Sequence, residues 1–128
     1  MLIDTTYRFL GDSFSGTATK NTTTSFDYQL DETRMIYGAE MVYENSCFGD
    51  FIEMMLVDVD NILGYGNDFV VATWIKKWFV PMNQNYWVVK SDMTSSIPAG
   101  LYVRLKYTST GNTQDVNLGV NLFMVSPK

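Results

Sequence analysis

Histidine is absent from this 128-residue chain. That absence removes the commonest general base and the commonest metal ligand together. Cysteine is nearly absent as well. Cys47 stands alone, so no disulfide can close within the chain, and a thiolate there would lack an imidazole partner. The plain reading of Cys47 is a small buried or half-buried side chain. No run of about 18 apolar residues occurs, so no membrane span is expected. Met1-Leu2-Ile3-Asp4-Thr5-Thr6 has neither a basic start nor an apolar run. It does not read as a secretory signal, and the expectation is an untruncated product made in the cytoplasm. Stability is expected from packing or from association with other subunits, and no cofactor is expected.

Apolar residues make up 46% of the chain and aromatics 15%. A single domain over residues 1–128 can therefore bury a real core, with flat side chains that suit pleated sheets. The charge is uneven. Residues 27–68 hold ten carboxylates against Arg34 alone, a net of −9, whereas residues 69–128 carry a net of +4. The plain reading is neutralisation within one fold. The sharper reading sets an acidic face of one copy against a basic face of the next. The overall charge of −5 argues against nucleic acid as a partner.

Period-two alternation dominates the pattern. Leu101, Val103, Leu105 and Tyr107 alternate with Tyr102, Arg104 and Lys106. Val116, Leu118, Val120, Leu122 and Met124 continue it after a turn-rich loop, Thr108–Asp115. This spacing buries one face of each strand and predicts a closing β-hairpin. Phe26, Tyr28 and Leu30 mark another half-buried strand. Met35, Tyr37, Ala39, Met41 and Tyr43 alternate too; a helix is the rival reading, but Gly38 and the aromatics favour a strand with a kink or bulge. Phe51–Val59 is apolar on both faces, as in a central strand. Strands are also expected over Phe69–Val80 and Tyr86–Lys90. Residues 1–20 read as an extended arm or an edge strand, followed by a turn at Lys20-Asn21. Eight of residues 13–25 are Ser or Thr. About eight strands without a good helix imply an all-β, antiparallel two-sheet β-sandwich, with a jelly roll among its candidate forms.

Candidate chemistry is sparse. Asp58-Val59-Asp60-Asn61 before Gly64 and Gly66 invites a calcium reading, but Ile62 and Leu63 stand where oxygen ligands and a glycine belong. An Asx-stabilised turn is preferred. Gly64-x-Gly66 lacks the third glycine and the following helix of a phosphate loop. Glu40, Glu44 and Glu53 show no spacing that selects a glycosidase pair. Trp74, Trp78 and Trp87 could form a platform for sugar rings, with core packing as the plainer reading. Trp74, Lys76 and Trp78 share one strand face by parity. Together with Trp87, Arg104 and Lys106 they are the candidate interface or ligand platform. No catalytic, cofactor or metal residue is assigned, and the chain is expected not to be an enzyme.

Several segments together resemble small structural proteins of tailed-bacteriophage virions. They are Gly16-Thr17-Ala18-Thr19-Lys20 with Thr22-Thr23-Thr24, Phe26-Asp27-Tyr28-Gln29-Leu30, Phe48-Gly49-Asp50, Val57-Asp58-Val59-Asp60, and Gly100–Tyr107 with Thr110-Gly111. The resemblance is one of pattern over most of the chain, and it transfers no functional residue. It implies a non-enzymatic, multi-copy β-sandwich part located in the virion. The expected role is a capsid decoration or cement protein that clamps major capsid subunits, as a homo-oligomer and by preference a homotrimer. The alternatives are a tail or neck accessory or receptor-binding protein, and a carbohydrate-binding module.

Overall fold

The computed structural model describes residues 7–80, 86–90 and 96–127, with side chains within 13–80 and 96–125. Among the described residues nine strands follow one another: β1 (Tyr7–Ala18), β2 (Thr23–Gln29), β3 (Arg34–Glu44), β4 (Phe51–Asp58), β5 (Phe69–Phe79), β6 (Tyr86–Lys90), the two-residue β7 (Ser96–Ile97), β8 (Tyr102–Thr108) and β9 (Val116–Pro127). Among the described residues there is no helix.

The chain behaves as one antiparallel ribbon rolled on itself. β1 pairs with β9, β2 with β8, β3 with β6, and β4 with β5. Rolling then sets β9 beside β3 and β8 beside β4. Two sheets result, one ordered β1-β9-β3-β6 with β7 also on β3, the other ordered β2-β8-β4-β5. This order is that of an antiparallel jelly roll.

The core lies between the sheets, and the alternation read from the sequence supplies it. Val103, Leu105 and Tyr107 point inward from β8, and Val116, Leu118, Val120, Leu122 and Met124 from β9. They meet Ile36, Ala39, Met41 and Tyr43 of β3 and Ile52, Met54 and Leu56 of β4 in one cluster. Each fully buried Leu or Val of this kind contributes roughly 1.5–3 kcal/mol of transfer free energy. Gly16 of β1 lets the sheets approach closely: a Cβ there would lie 2.3 Å from Cε1 of Phe26.

One expectation is overturned and two are narrowed. The closing hairpin does not form, because β8 and β9 belong to different sheets. Alternation reports which face of a strand is buried, not which strand lies beside it, and the long 109–115 connection crosses from one sheet to the other. Residues 7–18 are an edge strand zipped along β9 rather than an arm, while residues 1–6 fall outside the described residues. The expected irregularity in β3 is present, with a register shift between Ile36 and Gly38. The shift inverts the phase, so Tyr37 faces outward and stacks on Phe123 at 5.9 Å, instead of sharing a face with Ala39 and Met41.

Candidate functional site

The two ends of the sandwich are built differently. At one end the loops 19–22, 45–50 and 109–115 converge on Asp50, which is fully buried. Its carboxylate accepts hydrogen bonds from the Tyr107 hydroxyl (2.7 Å), the Thr110 amide (2.8 Å), the Asn112 side-chain amide (3.0 Å) and the Cys47 amide (3.1 Å). Its carbonyl accepts from the Val80 amide at 2.8 Å. Asn21, held in the left-handed region at φ 59°, accepts from the Asn112 amide at 2.8 Å and donates to the Asn112 carbonyl at 3.2 Å. The Ser109 hydroxyl accepts from the Asn21 amide at 3.1 Å. Burial, then the bond to Asp50, raises the Tyr107 hydroxyl above the ordinary tyrosine range; burial raises Tyr43 likewise. This node ties three crossings together and leaves the carboxylate no open face for a substrate.

At the opposite end Asp58 is also fully buried, but its carboxylate only caps a turn, accepting from the Ile62 amide at 2.9 Å and the Leu63 amide at 2.8 Å. This is the Asx-stabilised turn preferred over a calcium loop. Asn61, Gly64, Gly66 and Asp68 all have positive φ, so the loop turns sharply. It pushes apolar side chains outward: Ile62, Leu63 and Tyr65 are exposed, and so are Phe69, Val70 and Val71 at the start of β5. Tyr65 and Phe69 lie with ring centroids 5.0 Å apart.

The residues singled out from the sequence are spread over this framework. Arg104 makes a two-pronged ion pair with Asp27 on the neighbouring strand, at 2.7 and 2.9 Å, and reaches Asp68 at 3.2 Å. The bond to Asp27 leads in raising the guanidinium above its ordinary range. Lys106 is half-buried on the same outer face, in register with Glu53 and Ser25. Lys76 and Lys77 are exposed on β5. Lys77 places its ammonium 4.4 Å from the ring centre of Phe51 and 5.2 Å from that of Phe79. Trp74 and Trp78 are half-buried and pack against the core. Trp87 lies opposite Met41 on β6, and its side chain is outside the described residues.

The outer face of the other sheet carries polar rungs. The Asn117 amide donates to Glu44 at 2.8 Å and the Asn121 amide to Glu40 at 2.9 Å. A shallow groove of about 310 Å³ lies there, lined by Ser15, Val42, Glu44, Asn117 and Gly119 among others. Glu40 and Glu44 thus hold cross-strand partners instead of facing each other over a cleft. Among the described residues no group of three or more His, Cys, Asp or Glu could hold a metal ion. Sequence reasoning missed the Asp50 node and the apolar loop tip, since the first needs three loops brought together and the second is only a surface once the roll is closed.

No protein-family model and no curated protein matches the sequence. Solved structures do align with it. A chain of the Cyanophage Pam1 capsid asymmetric unit aligns with a TM-score of 0.52 at 14% identity, over 94% of this chain and 85% of that one. The infectious bursal disease virus VP2 subviral particle aligns at 0.47 and 10% identity, over 94% of this chain, which spans only 33% of the VP2 chain. FLHE aligns at 0.45 and 8% identity, over 94% of this chain and 98% of that one. At 14% identity the likeness to the Pam1 chain bears on the β-sandwich fold alone.

Proposed function

We propose that the chain is a virion structural protein that decorates a phage capsid and clamps its major capsid subunits. The reading rests on the fold likeness to the cyanophage capsid chain, which extends over nearly the whole of both chains. Its chemistry agrees. The Asp50 carboxylate, with the richest set of donors, is spent on joining loops, while exposed apolar side chains gather at Tyr65–Val71 and at Phe48 and Phe79. A part of this kind acts without turnover: buried interface and charge pairs favour the assembled shell by mass action. Its partners are capsid or other virion subunits, and its place is the virion.

The test is to add the purified chain to shells lacking it, count bound copies by cryo-microscopy, and measure shell melting. Binding in high, symmetric copy number with a raised melting temperature is expected. A few copies confined to the tail or neck would replace this role with an accessory one, and absence from the particle would refute the virion reading.

A further inference from the structure

We propose that β5 is the contact edge of a two-fold dimer, in which β5 of one chain lies antiparallel to β5 of a second copy, centred on Ala72. This goes beyond the decorating role and does not depend on it.

β5 ends the order β2-β8-β4-β5, and among the described residues no strand pairs with its outer side. The two edges of this sheet differ. β2 presents Thr23, Ser25, Asp27 and Gln29 to solvent, which keeps that edge polar. β5 instead presents Phe69, Val70 and Val71, exposed by 40%, 45% and 38%. A long edge strand of this composition templates pairing with another chain unless something covers it.

The charge pattern selects the occupant. The β4–β5 loop that leads into β5 carries Asp60 and Asp68 and no base; the far half of β5 carries Lys76 and Lys77 and no acid. Such an element is complementary to itself only when reversed. A two-fold axis at Ala72 carries the Asp68 end of each copy to the Lys76-Lys77 end of the other. Arg104 already holds Asp68 at 3.2 Å, and the Asp68 side chain is still 58% exposed. The acceptor is therefore positioned yet open. The same reversal brings the Tyr65–Phe69 ring pair of one copy to the Phe79 end of the other, where Phe79 is 58% exposed with Lys77 above it. Register shifts in the β4–β5 pairing fall on both sides of Ala72-Thr73, at Val71 and at Trp74, so few backbone ladder bonds form across the axis and the side-chain contacts carry most of the interface. An isologous contact closes at two copies, unlike the three-fold ring expected from the sequence.

Light scattering and sedimentation of the isolated chain, up to roughly 100 µM, test this. A dimer is expected, weakened about tenfold or more by Lys76→Glu with Lys77→Glu and by raised salt. Val71→Cys with Thr73→Cys, on a Cys47→Ser background, is expected to form an interchain disulfide under mild oxidation, because these positions face each other across the axis. Retained β-sheet circular dichroism confirms that each variant is folded. A monomer, a trimer, or a dimer indifferent to the lysine reversals and not cross-linked at 71 and 73 overturns the proposal. Shells play no part in these measurements, so their outcome is separate from that of the decorating role.

Discussion

The two buried aspartates sit at opposite ends of one sandwich and do different work. Asp50 gathers donors from its own loop, from β8 and from the 109–115 crossing, so its end is closed by a polar node whose members lie far apart in sequence. Asp58 takes donors only from the turn that follows it, so its end is locally ordered and outwardly apolar. The same residue type serves as a clasp between elements in one place and as a cap within an element in the other. The difference lies in where the partner donors stand along the chain. Both ends leave apolar surface for a neighbour, Phe48 and Phe79 beside the node and Ile62 to Val71 at the other end.

Substitutions should separate the ends. Asp50→Ala orphans several buried donors at once and should destabilise the chain by about 3–5 kcal/mol in urea unfolding. The node should also make the fold alkali-sensitive. Tyr107 and Tyr43 are raised in the folded state, so above the ordinary tyrosine value of about 10 the unfolded chain releases protons that the folded chain keeps. Stability should be flat below that pH and then fall as pH rises, by at most about 1.4 kcal/mol per pH unit for each such tyrosine. Tyr107→Phe should make that decline shallower, as measured by denaturant midpoints across pH. Asp58→Ala should cost about 1 kcal/mol, since its turn amides can regain water. Tyr65→Ser should change stability by less than about 0.5 kcal/mol while lowering self-association in sedimentation, which would confine its role to the surface.

Parts of this were legible in the sequence for identifiable reasons. Leu101 to Tyr107 and Val116 to Met124 declare their buried faces because a strand's side chains alternate whatever lies beside it. Gly38 among aromatics announced a bulge, and the bulge duly reverses the phase of β3 at Tyr37. Pairing was another matter. Thr108–Asp115 has the composition of a hairpin turn, yet its residues bond back to Thr22, Asn21 and Asp50, and that choice is set by loops far off in the chain. Of the candidate interface residues, Arg104 proved to anchor Asp27 and Asp68, and Trp74 and Trp78 pack on the core. The outward turn of Ile62, Leu63 and Tyr65 follows from positive φ at Asn61, Gly64, Gly66 and Asp68, which no periodicity displays.

The rolled ribbon also bears on how the molecule comes together in time. β4 and β5 are joined directly by residues 59–68, whereas Tyr7 must find Pro127 and Ala18 must find Val116. Pairs so distant in the chain close late, after much disorder has been given up. Assembly should therefore start at the β4–β5 bend and zip outward, with the two outermost strands joining last. Pulsed amide labelling that found β1 and β9 protected before β4 and β5 would contradict this order.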